Sequence, residues 1–160
     1  MATFPIERLT RIGAKASTPI TCLETASQTF KRGQLVTRDS NGYVHATADN
    51  GVGTLGIALA DASGVTAAKI LIDPILPGEL LQITIYNATK ASAVLAEANV
   101  GLLFPVVTVS NVTMLNNATN ASPLFRIVAR SENNTATDVY PKAIVTVIPG
   151  TLQTTDCTQI

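Results

Sequence analysis

Apolar residues in this chain come in short runs of roughly four to eight, rich in Val, Ile, Leu and Thr, and each run closes on Gly, Pro, Asn, Asp or Ser. Runs of that length match strands, because a helix that buries one face needs about ten residues or more at a 3.6-residue period. Residues 34–38 and 43–47 form the clearest pair, joined by Asp39, Ser40, Asn41 and Gly42, whose Asn-Gly step supplies the left-handed backbone of a tight hairpin turn. Residues 53–60 alternate Leu55, Ile57 and Leu59 with nothing larger than Ala, which predicts one face in a core and a close neighbour on the other. Residues 68–72 and 80–86 predict a second strand pair bent at 73–78, with Leu81, Ile83 and Ile85 on one face.

The only stretch of good helix formers is 91–98, which predicts a helix of about two turns stopped by Asn99 and Gly101. The last third reads as further strands at 102–109, 112–115, 124–130 and 143–148. Together these runs predict an all-β fold, a small antiparallel β-barrel with one short helix, since closure hides the edges of many short strands. At 160 residues one core suffices for one domain. The expected organisation is an extended N-terminal arm over 1–20, a barrel domain over 21–150 and a polar C-terminal tail over 151–160. The arm carries Arg8, Arg11 and Lys15 against Glu7 and fits either an acidic partner surface or a frayed terminus.

Charge and aromatic content narrow the partners. Charged residues are 14% of the chain and net charge is zero, so no global field holds phosphates, and nucleic acid is not an expected partner. Trp is absent and aromatics are 4%, which leaves few rings for stacking bases or sugars. No run approaches the roughly 20 apolar residues of a membrane-spanning helix, and no targeting segment is expected at the start. Cys22 and Cys157 are expected as two separate thiols, because disulfide-dependent scaffolds show several bridges at closer spacing; a bridge between these two would be worth up to about 4–5 kcal/mol in the chain-entropy model. Asn-x-Ser/Thr triplets begin at Asn87, Asn111, Asn117, Asn120 and Asn133 and read as Asn/Thr-rich turns.

No reactive constellation stands out. His45, the single histidine, lies in the second hairpin strand without a companion that would make a metal site or triad. Asp61, Asp73 and Glu79 form a loose carboxylate set of the kind glycosidic hydrolysis uses, but all border turns where such side chains are solvated. Gly51 with Gly53, and Ser63 with Gly64, belong to no complete phosphate-loop pattern. The expectation is a non-enzymatic binding protein with no catalytic residue, metal or cofactor.

Residues 30–44, followed by Gly53 to Gly64 with the run Gly56-Ile57-Ala58-Leu59-Ala60-Asp61-Ala62-Ser63, resemble the bacteriophage capsid decoration (cement) proteins. The strand at 80–86, the run Asn99-Val100-Gly101-Leu102 and the closing segment 140–148 are similar to how such chains continue, so the likeness spans about 30 to 148. The resemblance implies a β-barrel or β-tulip domain on the outer surface of the virion head, bound to the major capsid protein as a homotrimer. Two other readings remain: a different virion part, such as a head-fibre base or minor tail protein, and a glycan-binding or glycan-processing β domain, which the missing Trp disfavours.

Overall fold

A computed structural model describes residues 7–13, 18–49, 51, 53–131 and 135–153, and within them the chain is all-β. Strands are β1 (Thr10–Arg11), β2 (Ile20–Leu23), β3 (Leu35–Arg38), β4 (Val44–Ala46), β5 (Gly56–Ala58), β6 (Lys69–Pro74), β7 (Leu80–Tyr86), β8 (Leu103–Phe104), β9 (Val106–Val109), β10 (Val112–Asn116), β11 (Phe125–Arg130) and β12 (Lys142–Val147). A seven-stranded sheet runs β8-β11-β12-β7-β10-β9 with β1 added beside β7, and a five-stranded sheet runs β2-β6-β5-β3-β4.

Neither sheet closes into the expected barrel. In the larger sheet the two edge strands, β8 and β9, are separated in sequence by Pro105 alone, so its edges come together at a residue with no N–H to extend a ladder. In the smaller sheet the edges touch at one parallel bridge, Glu24 to Val44. The expected pairing of 68–72 with 80–86 is also corrected: β6 pairs β2 and β5, whereas β7 pairs β12, β1 and β10, so the 75–79 turn passes the chain between sheets.

The expected helix at 91–98 is replaced by two single 3₁₀ turns, Lys90–Ser92 and Glu97–Asn99. Ala93 and Leu95 between them are both buried, a two-residue spacing that a helix would split between faces. The side-chain amide of Asn117 donates to Ser92 O (2.9 Å) and Val94 O (3.1 Å) in place of helical bonds. The hairpin at 35–46 forms as expected, with Val36 opposite Ala46 and Arg38 opposite Val44. Gly42 alone in its turn is left-handed (φ 84°), and Asp39 Oδ1 accepts from the amides of Asn41 and Tyr43.

Two cores explain the layering. Leu81, Ile83, Phe125, Ile127 and Val145 from the large sheet pack with Leu35 and Ile57 from the small one and with Ile75 from the turn between them. Val36, Leu55, Ala58, Ile70 and Ile72 form a second core on the other side of the small sheet, with Cys22, Phe30 and Val44. Strand β5 and the first half of β3, Leu35 and Val36, are therefore buried on both faces. Gly56 has to be glycine because a Cβ there would lie 2.3 Å from the backbone O of Asp73. Thr113 Oγ1 accepts the amide of Leu35 (3.2 Å) and ties β10 to β3 across the layers.

Both described ends are fastened to this body. Residues 7–13 of the arm run along β7, with Leu9 buried in the larger core and Ile12 N donating to Leu80 O (2.9 Å). Gln153 completes β3 from the side: its Oε1 accepts from Arg38 N (2.6 Å) and Thr37 Oγ1 (2.9 Å), and its Nε2 donates to Arg38 O (2.8 Å). Residues 1–6 and 14–17 of the arm, Lys15 among them, and 154–160 of the tail lie outside the described residues.

Gly56→Ala should lower the free energy of unfolding by about 3 kcal/mol, because the clash is with backbone and the strand has no open side to shift toward. Gly150→Ala, where nothing lies within 4 Å, should change it by less than about 0.5 kcal/mol. Urea unfolding of both variants measures the difference; equal stabilities would contradict the packing described.

Candidate interaction surface

Alternation along β7, β11 and β12 turns one set of side chains into the core and leaves the other set as the outer face of the large sheet. Register assembles this face. Ile12 sits beside Leu80, Leu80 opposite Thr146, Thr146 opposite Arg126 and Arg126 opposite Leu103. A second row joins Thr10, Gln82 and Ile144, and the bulge between Ile127 and Ala129 sets Val128 next to it. Val128 (42%), Leu80 (37%) and Ile12 (36%) remain exposed, and no other secondary-structure element covers them among the described residues. Arg126 is exposed among these aliphatics and forms no ion pair with the described residues.

A cationic corner borders this face. Arg8 lies two residues before Thr10, and its side-chain stem crosses Gly33, where a Cβ would meet Arg8 Cδ at 3.1 Å. Lys31 Nζ is 3.2 Å from Asp61 Oδ2, and the Arg32 amide donates to Asp61 Oδ1 (2.9 Å). The Arg32 amide and the Lys31 ammonium, with a smaller contribution from Arg8, hold the Asp61 carboxyl below its ordinary value. Two cations, Lys31 and Arg8, thus act on one carboxylate, and Arg32 reaches it through its backbone amide. The exposed Lys31–Asp61 pair adds little stability, but the corner is locally positive on a chain of zero net charge.

The loose carboxylate set is divided, and the expected solvation holds for Asp61 but not for the buried Glu79. Asp61 belongs to the cationic corner, while Asp73 and Glu79 share Arg11. Arg11 Nη1 is 2.6 Å from Asp73 Oδ2, its Nε contacts Glu79 Oε1, and its Nη2 donates to Pro74 O (3.0 Å). Glu79 Oε2 also accepts from Leu76 N (3.0 Å) and its side chain is only 2% exposed. These contacts staple the arm to the turn that joins the sheets. They leave neither carboxylate open as an acid or nucleophile.

His45 is half-buried with Nδ1 2.9 Å from Ala46 O, beside a cleft of about 420 Å³ that Arg38, Thr47 and Gln153 also line. Among the described residues no three His, Cys, Asp or Glu side chains form a metal-sized group. Gly51 closes a backbone turn, its N donating to Ala48 O, and Gly64, left-handed at φ 76°, accepts at its O from Ser27 N. Cys22 is disulfide-bonded, which corrects the expectation of two separate thiols; Cys157 lies outside the described residues. Asn87 Nδ2 donates to Asn117 Oδ1 (2.9 Å), so these two amides build loops, and Asn133 lies outside the described residues.

No family model, no curated protein and no solved structure matches the chain. The outer face was only half legible in sequence. The 80–86 alternation that placed Leu81, Ile83 and Ile85 inside also placed Leu80 and Gln82 outside, whereas the arrival of Ile12 next to Leu80 depends on a pairing between segments 70 residues apart that periodicity does not carry.

Arg11→Leu should destabilise the fold by about 3 kcal/mol or more, since it strands the buried Glu79 carboxylate; the double variant Arg11→Leu/Glu79→Leu should recover part of the loss. Thermal and urea unfolding check this, and full additivity of the two substitutions would contradict it. In an NMR titration the Asp61 carboxyl should ionise below the ordinary Asp range, so the Lys31 contact persists above that range and is lost as pH falls through the depressed midpoint. Lys31→Met should move the midpoint upward, and an unshifted Asp61 in the parent chain would contradict the geometry.

Proposed function

We propose that this chain is a capsid decoration protein, a non-enzymatic virion component that binds the outer surface of a phage head and stabilises the lattice of the major capsid protein. The observation that carries the reading is the outer face of the large sheet, where the exposed Ile12, Leu80 and Val128 share one surface with the half-buried Ile144 and the exposed Arg126. Exposed aliphatics grouped around one arginine have the make-up of interface centres, in which apolar burial supplies affinity and a cation fixes orientation. The resemblance of residues 30–148 to decoration proteins points the same way and names the lattice as the partner. The cationic corner of Arg8, Lys31 and Arg32 suits an acidic strip on that partner.

A lattice binder needs several modest contacts and no chemistry. A homotrimer that grips neighbouring capsid subunits multiplies weak single contacts through effective concentration and so resists the outward pressure of packaged DNA. The disulfide at Cys22 and the ties at both described ends suit a part that bears load.

Undecorated expanded heads mixed with the purified chain should bind it saturably, with on the order of hundreds of copies per particle. Leu80→Asp/Val128→Asp should weaken binding at least tenfold while the variant keeps its far-ultraviolet circular dichroism. Saturation at a few copies would favour a head-fibre base or minor tail role. Undiminished binding by the double variant would remove the outer face from the account.

A further inference from the structure

Sheet edges are hazards unless covered, and three of the four strands that end the two strand orders are. On β9 the amide of Thr108 donates to Asp49 Oδ1 (2.8 Å). β2 and β4 meet through the Glu24–Val44 bridge, and Thr25 N donates to Val44 O (3.0 Å). β8 differs. Ile127 N donates to Leu102 O (3.0 Å) and Leu124 N to Phe104 O (3.0 Å), so the bonds to β11 fall on residues 102 and 104. Leu103, between them in an antiparallel ladder, turns its N–H and C=O the other way, onto the free edge.

That edge opens on a cleft of about 520 Å³, walled on one side by residues 101–104 and on the other by the 117–120 turn and Pro123. The far wall is fixed in place: Asn117 donates to Ser92 O and Val94 O, Ala118 N donates to Asn116 Oδ1 (3.0 Å), and Ala121 N donates to Thr119 Oγ1 (3.1 Å). Leu102 is 48% exposed at the rim. Among the described residues no charged side chain lines the cleft.

We propose that this cleft receives an extended, uncharged peptide segment of a partner protein, which adds as a strand to the free edge of β8 through the N–H and C=O of Leu103. Main-chain groups on a strand edge are met best by another main chain, which gives affinity, while side-chain pockets beside the edge give selectivity. A strand occupies about 3.3 Å along its axis, 4.8 Å between strands and 10 Å between layers, or about 160 Å³ per residue, so the cleft holds about three residues. The far wall recesses the edge and admits a single slender segment in preference to the broad edge of a second folded copy. Neutral walls exclude charged side chains, which would lose hydration without gaining a partner. This docking site lies at the edge of the large sheet and is independent of whether its outer face meets a capsid.

Panning a random hexapeptide display library on the immobilised full chain tests the site, with enriched peptides then synthesised and titrated by fluorescence anisotropy. Enriched sequences should share a stretch of about three uncharged residues. Leu103→Pro removes an N–H that the β11 ladder does not use, together with the Leu103 side chain, and should weaken them at least tenfold, whereas Leu103→Ala, which keeps the N–H, should weaken them less. Ala118→Arg, which puts a cation on the opposite wall without touching β8, should match the loss in Leu103→Pro with the fold intact by circular dichroism. Enrichment equal to that on the Ala118→Arg protein, affinities unchanged in Leu103→Pro and Ala118→Arg, or a consensus rich in charge would each overturn the proposal. So would a parent chain that self-associates through this edge and becomes monomeric as Leu103→Pro.

Discussion

The burial of β5 and of Leu35 and Val36 in β3 on both faces is the constraint from which the rest follows. A strand pair with cores above and below must alternate two apolar surfaces, and Leu35 and Ile57 face one core while Val36 and Ala58 face the other. It also has little room for bulk at the crossing with β6, which is why Gly56 lies against the backbone of Asp73. Such a centre resists shear because movement of either layer disturbs both cores, and close-packed interiors do not deform gradually. The outer face of the large sheet inherits that stiffness.

Peripheral ties extend the same logic. Arg11 binds two acidic side chains and one carbonyl where the chain crosses between layers, and its worth lies mostly in what its loss would expose. Gln153 stands in for a missing strand residue beside Arg38. Glu24 accepts from the amides of Ser63 (3.1 Å) and Val65 (3.2 Å), so a buried carboxylate organises the 63–67 loop without a cation. Each device satisfies polar groups that short strands and long connections would otherwise leave unpaired.

Local features of the fold were legible in sequence where the cause is local. The 35–46 hairpin follows from its Asp39-to-Gly42 turn, and the inward set Leu81, Ile83 and Ile85 follows from strict alternation. Partner choice was not legible. Residues 68–72 and 80–86 look like a hairpin because a Pro/Gly turn joins them, yet Leu81 and Val145 complete one core face while Ile70 and Ile72 complete another. The 91–98 stretch has helical propensity, but the burial of Ala93 and Leu95 two residues apart overrides it. Pro105 divides what reads as one apolar run into strands on opposite edges of the sheet, an outcome set by global curvature. The candidate surface was legible only in part for the same reason: Leu80 is marked by alternation, whereas its neighbours Ile12, Arg126 and Val128 arrive by register and by a bulge.

A double core, a grouped aliphatic face and a locally positive border are the features on which the proposed role in binding rests. The most direct test of that account is hydrogen–deuterium exchange of the chain free and bound to undecorated heads. The account predicts that binding slows exchange in segments 10–12, 80–86, 126–130 and 142–147 and leaves the 35–46 hairpin unchanged. Slowing confined to the hairpin or to the 45–53 region near His45 would contradict it.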